Sequence, residues 1–192
     1  MIMVEPDCSL VARAQQGDRR AFETLVQRHR RRIYSLAYRM TFCHEDADDI
    51  LQEAFVRAYR KLASFDTRLP FANWLYTIAL NLCLDRQRRR QRQHNVSWNQ
   101  VEDLDITWAG AAAPEPAPHS AAANTELREH LYRAINRLPE RQRAAVVLFE
   151  VEGLRITEVA RLMDCSEGAV KSTLHRARRR LREDLREYIE VS

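Results

Sequence analysis

At 192 residues, with 45% hydrophobic side chains, the chain has enough apolar matter to build cores, which excludes wholesale disorder. Only 4 glycines against 30% charged residues disfavours sandwiches and barrels and points to helices, and the length suits two small units. The formal charge of +4 is mild, so the arrangement of charge matters more than its sum: acidic and basic residues fall into separate blocks.

The first two helical patterns fall within residues 9–40. Leu10, Val11 and Ala14 mark the first; Phe22, Leu25, Val26, Ile33, Leu36, Ala37 and Met40 mark the second, with Gly17-Asp18 between them. Arg28, Arg30, Arg31 and Arg32 form a basic cluster that reads equally as a solvated face or as a phosphate contact. From Thr41 to Glu53 the charges are all acidic: Glu45, Asp46, Asp48, Asp49 and Glu53. They open a helix whose apolar face is Ile50, Leu51, Ala54, Phe55, Ala58 and Leu62. Carboxylates in a first turn suit the helix dipole. They could equally dock a basic protein partner, but not face nucleic-acid phosphates.

A loop at Phe65–Pro70 leads into FANWLYTIALNLCLDRQRRR. Phe71, Leu75, Ile78, Ala79 and Leu82 read as its core stripe, while Asn73, Tyr76, Thr77 and Leu80 face away. For Trp74 burial is the simpler reading. The helix ends in Arg86, Arg88, Arg89, Arg90 and Arg92, and aromatic and amide groups followed by arginines suit base stacking with phosphate neutralisation.

Residues 93–124 lose all periodicity, hold Pro114, Pro116 and Pro118 among alanines, and read as a linker. Helices resume at Thr125 and pause at Leu138-Pro139. Ala144, Val147, Leu148 and Val151 then make an apolar face, and Gly153 stops the helix. Ile156, Val159, Ala160 and Met163 mark a short helix, Asp164-Cys165-Ser166 a turn, and Ser166 a cap for the next helix. That last helix buries Val170, Leu174, Ala177 and Leu181. Ser172, His175, Arg176 and Arg179 lie on its other face, with Lys171 and Arg178 on the flanks. Short helix, turn and basic helix is the spacing of a helix-turn-helix, whose second helix enters the major groove.

Cys8, Cys43, Cys83 and Cys165 are too far apart for a zinc site and read as isolated core thiols of a reduced, cytoplasmic protein. No leader segment or bilayer-spanning apolar run is read. Scattered histidines and the lack of a glycine-rich phosphate loop give an enzyme no support, and no cofactor or small-molecule substrate is expected. An all-α fold follows, in two small helical domains joined by a flexible linker. A stand-alone helix-turn-helix repressor or activator fits the C-terminal part, but leaves the acidic helix and the arginine-ended helix unexplained.

With these motifs in this order, the chain resembles a bacterial RNA polymerase sigma factor of the extracytoplasmic-function (ECF) group. DADDILQEAFVRAYRKLASF is similar to the family's polymerase-binding helix, FANWLYTIALNLCLDRQRRR to its minus-ten-reading helix, and the stretch from Leu138 to Leu181 to its minus-thirty-five domain. The resemblance implies a region-two-like domain over 1–92, the linker over 93–124, and a region-four-like domain over 125–192. It places core polymerase contacts at Asp49, Gln52 and Glu53, and minus-ten contacts at Phe65, Asn81, Arg86 and Arg89. Minus-thirty-five contacts fall on Lys171, Ser172, His175, Arg176 and Arg179. The implied partners are core RNA polymerase, promoter DNA and an anti-sigma factor, which could hold the protein at the inner face of the membrane. The implied mechanism is recruitment rather than catalysis. Arg155 stands where the family caps a helix with Ser or Thr, which moves that helix's expected start to Thr157. Promoter elements two helical turns apart are separated by ~70 Å, so the linker is expected to run extended through the polymerase.

Overall fold

The computed structural model describes residues 5–96 and 130–186, and every regular element among them is helical. The N-terminal unit contains α1 (Asp7–Gln15), α2 (Arg19–Thr41), α3 (His44–Lys61) and α4 (Phe71–Val96), with one 3-10 turn (Leu62–Ser64) after α3. Gly17 takes a left-handed φ of 94° to end α1. Asp18 then caps α2 by accepting the N–H groups of Arg20 and Ala21. At the other end of α2, Phe42 is left-handed (φ 53°) and its N–H bonds the Tyr38 carbonyl, turning the chain tightly into α3. Helices α2 and α3 pack along each other, α1 lies on α2, and α4 covers both α2 and α3. Leu25, Ile33, Leu36, Met40, Ala54 and Leu75 fill the space between them.

The C-terminal unit holds the helical residues 130–137 (α5), then α6 (Glu140–Val146), which widens into a π turn (Val147–Val151), then α7 (Ile156–Leu162) and α8 (Glu167–Asp184). Gly153, with φ 69°, lets the chain reverse so that the Leu154 N–H reaches the Leu148 carbonyl. Helix α7 starts at Ile156, one residue earlier than expected, because Glu158 accepts the Arg155 N–H and replaces the missing Ser or Thr cap.

The two units pack against each other, α4 touching α6 and α7, and α2 touching the π turn. Arg143 stands at this joint. Its buried guanidinium donates to the Met40 carbonyl at the end of α2 (2.7 Å), to Leu138 (3.3 Å) and to Asn136, and lies over the Phe42 ring at 5.6 Å. Gln87 of α4 donates to the same Met40 carbonyl. Burial pushes the Arg143 guanidinium down to about 10, which leaves it charged at neutral pH. A second contact centres on Glu152, whose nearly buried carboxylate pairs with Arg39 and accepts the Tyr76 hydroxyl at 3.0 Å. Burial, and then the Glu152 charge, push the Tyr76 hydroxyl far above its ordinary value.

Several positions depart from the sequence reading. Tyr76 and Leu80 do not face away; they are 4% and 0% exposed, because α4 is covered on two sides. Ile78 and Trp74 are half-buried rather than core. Ala145 and Val146, outside the expected stripe of α6, are buried, while Val151 is 44% exposed because the π turn rotates it outward. Leu51 and Leu181 are half-buried. Cys83 is a core thiol pushed up to about 12 by burial, but Cys8 is exposed. Helix α4 runs to Val96, past the expected 92/93 boundary, while the rest of the linker (97–124) and the expected helix start at Thr125 lie outside the described residues. Among the described residues no helix is long and apolar enough to cross a membrane.

Replacing Arg143 by Met keeps most of the side-chain volume but leaves the Asn136 and Leu138 carbonyls without their donor. Burying unpaired carbonyls costs ~1–3 kcal/mol each, so urea denaturation of Arg143→Met should show a loss of about 2–4 kcal/mol. A loss below about 0.5 kcal/mol would show that the joint contributes little.

Candidate nucleic-acid interfaces

Helix α8 begins at Ser166, whose hydroxyl accepts the Ala169 N–H at 3.2 Å. The preceding turn closes through Asp164 in the left-handed region (φ 48°) and the Cys165 N–H on the Ala160 carbonyl. Val170, Leu174 and Ala177 anchor one face on α6 and α7. Lys171, Ser172, His175, Arg176 and Arg179 are all exposed on the remainder, as expected from the apolar face opposite them. Their charges are not equally available. Arg178 is drawn back to Glu150 (2.5 Å) and over the Phe149 ring. Arg179 lies a loose 3.7 Å from Glu183, and Arg176 rests its Nε on the Ser172 carbonyl at 3.3 Å. The exposed row is therefore a hydrogen-bonding and cationic edge on a helix seated by its apolar face.

The second surface lies along α4. Asn81 is exposed, and Arg88, seven residues on, shares its face; Arg89 is exposed about a quarter-turn away. Arg86 is different. It is half-exposed and donates through Nε to Asp46 (2.9 Å) and through Nη2 to Asp49 (2.5 Å), both on α3. Phe65 is buried, its ring 4.5 Å from Trp74 and 5.9 Å from Phe71, so it forms the floor of the loop rather than a free stacking platform. Gln15 fixes the start of that loop by donating to the Leu62 and Phe65 carbonyls, both at 2.9 Å. At the tip, Asp66 accepts the Arg68 N–H and guanidinium, which holds its carboxyl below the usual range. Leu69 beside it is exposed. In the basic cluster of α2, Arg28 is tied to Asp7 and Arg32 lies over the Tyr76 ring, while Arg30 and Arg31 remain exposed.

The third surface is the face of α3. Asp49 and Glu53 reach solvent, with side chains 60% and 45% exposed, and Gln52 lies between them. Each acid has an internal partner: Arg86 for Asp49, and Arg57 for Glu53 at 2.7 Å. Asp46 departs from the expected acidic face. It is buried and held by both Arg86 and Arg90. The same stripe of α3 continues into Val56 and Tyr59, which with Phe22 and Phe55 line an apolar groove of about 440 Å³. Sequence reading missed this apolar continuation, although Val56 and Tyr59 fall outside the core periodicity and were legible as exposed. Glu152 and Gln15 carried no comparable signal.

The chain matches the Sigma-70 region 2 family over residues 25–93 and the Sigma-70, region 4 family over residues 128–181. It is 39% identical over 175 residues to the ECF RNA polymerase sigma-E factor of Escherichia coli (strain K12), covering 90% of each chain. Among solved structures, it resembles CnrH in complex with the cytosolic domain of CnrY (TM-score 0.68, 28% identity, 95% of this chain and 99% of that one). It also resembles the sigma factor RpoE of Bartonella quintana in complex with the anti-sigma factor NepR (TM-score 0.64, 26% identity, 86% and 96%).

The differing availability of the α8 arginines is testable on duplex DNA. Arg176→Ala should cost ~1–3 kcal/mol on a preferred sequence and narrow the gap to unrelated sequences. Arg178→Ala, whose charge Glu150 already neutralises, should change binding less than Arg179→Ala does. Titrations by fluorescence anisotropy at several salt concentrations would read all three. A larger loss for Arg178→Ala than for Arg176→Ala would contradict the assignment.

Proposed function

This chain belongs to the ECF group of RNA polymerase sigma factors, and we propose that it divides that work among the three surfaces described above. The exposed row on α8 (Lys171, Ser172, His175, Arg176 and Arg179) reads the minus-thirty-five element as duplex. The α4 surface (Asn81 and Arg89, joined by Arg88 and Arg86, above the Phe65 floor) holds the melted minus-ten strand. The α3 stripe of Asp49, Gln52 and Glu53 docks core polymerase. The observation that carries this reading is the division of exposed charge by helix, with carboxylates and an apolar groove on α3 and arginine-rich edges on α4 and α8, the α3 and α4 surfaces meeting where Arg86 bonds Asp49. The chain recruits and melts rather than catalyses. Extracting a base from the stack costs a few kcal/mol, which contacts in the promoter loop offset.

The packed arrangement bears on regulation. A compact body of this size is roughly 40 Å across, while the two promoter elements lie ~70 Å apart. Both surfaces cannot engage one promoter while Arg143 and Glu152 hold the units together. The packed form is therefore a resting form, and polymerase binding must separate it. Its likeness across both units to relatives solved with CnrY and with the anti-sigma factor NepR supports an anti-sigma factor as the partner of this form. Such a partner, anchored in the membrane, would keep this cytoplasmic protein at the membrane's inner face.

Glu53→Lys together with Asp49→Lys should abolish core binding in a pull-down and run-off transcription with it, while circular dichroism stays unchanged. Asn81→Ala should leave closed complexes intact and destabilise open ones, read by footprinting before and after melting. Unchanged core affinity in the charge-reversed protein would count against the α3 assignment. An Asn81→Ala defect confined to the upstream element would sink the division between α4 and α8.

A further inference from the structure

Arg86 belongs to a surface read as DNA-binding, yet its guanidinium spans two carboxylates on the polymerase-docking helix. The two bonds are unequal. Asp46 is buried, only 7% of its side chain being exposed, and Arg90 approaches its second oxygen at 2.6 Å. Asp49 is largely in solvent, and Arg86 is the residue that holds it. The Asp46 contact therefore persists on desolvation grounds, whereas an exposed ion pair such as Asp49–Arg86 is weak and readily exchanged. A cavity of about 220 Å³ opens beside it between α3 and α4, with Asp49, Glu53, Arg57, Asp85, Arg86 and Arg89 in its wall. Space therefore exists beside Asp49 for another cation, which would leave the Nη2 hydrogens of Arg86 without that acceptor while Asp46 still holds Nε.

Resting on the reading of α3 as the polymerase face and α4 as the minus-ten surface, we propose that Arg86 couples the two by exchanging partners. A basic side chain of core polymerase takes Asp49, and the released edge of Arg86 turns to the phosphates of the melted strand. In the free protein Asp46, Asp49, Arg86 and Arg90 sum to zero charge. Once the partner's cation neutralises Asp49, the remaining three carry +1 at the arginine-rich end of α4. Docking thereby strengthens strand binding, and Arg86 positions the response without itself reading a base.

The test uses the full chain without polymerase and a fluorescein-labelled, A/T-rich single-stranded dodecamer, with anisotropy titrations over a range of salt. Asp49→Asn mimics neutralisation and should tighten binding about two- to fivefold, the range of one exposed ion pair. It should also steepen the salt dependence by about 0.7 ion, the value for one added phosphate contact on a single strand. In an Arg86→Gln background the same substitution should give no gain, and Asp48→Asn, which removes an equal charge from an acid not paired with Arg86, should give none in either. No gain from Asp49→Asn would overturn the proposal, and an equal gain with Arg86→Gln or from Asp48→Asn would overturn it as a mere charge effect. Core affinity, measured separately, tests the docking reading. Reduced core affinity without a gain on the strand would sink the exchange and leave docking standing. A gain with unchanged core affinity would sink docking, and with it the trigger.

Discussion

The arrangement of this protein depends on one buried cation. Arg143, from the C-terminal unit, reaches the carbonyl that ends α2 in the N-terminal unit and also caps the carbonyls that end α5. A helix C-terminus carries partial negative charge and unpaired carbonyls, so one guanidinium there satisfies two helix ends at once. Water cannot replace those donors cheaply inside the joint. With Arg143 seated, Gln87 can share the Met40 carbonyl, Glu152 can meet Arg39 and Tyr76, and α4 acquires a second covered face. The same contacts bring α4 and α8, the helices proposed to read DNA, into one body. On that proposal the joint is stable in isolation and yields to polymerase.

The polar part of this joint suits a reversible contact. Arg39–Glu152 and Tyr76–Glu152 join groups that water or another partner can satisfy once the units separate, and Arg39 is already partly solvated. An apolar interface of similar extent would lose more on opening, because all its area would return to water. Charge is managed similarly on α3 and α8. Asp49, Glu53 and Arg178 each hold an internal partner in the free protein. These weak exposed pairs mask charge without locking it.

Within each unit, much was legible from sequence. The Gly17-Asp18 punctuation, the Ser166 cap and the Val170–Leu174–Ala177 face stand as read, because each depends on residues within one turn of each other. The exposed row from Lys171 to Arg179 follows from that face. What was not legible depends on contacts between distant segments. Tyr76 and Leu80 lie off the stripe read for α4, and α4 is covered on a second side by α6 and α7. Asp46 looked like one more exposed acid, because its arginine partners lie 40 and 44 residues away along the chain. Phe65 was legible as an aromatic at the loop that the resemblance marks, but not as the residue beneath it. The π turn that rotates Val151 outward has no sequence signal of its own.

The central claim, that one joint holds the reading surfaces together until polymerase separates them, is tested most directly by an intramolecular distance. Dyes at Glu45→Cys on α3 and Arg161→Cys on α7, in a background with Cys8, Cys43 and Cys165 each replaced by Ser, report the separation of the two units by Förster transfer. The account predicts high transfer in the free protein and a fall to low transfer when core polymerase and promoter DNA are added. Low transfer in the free protein, or high transfer that persists in a transcribing complex, would contradict it.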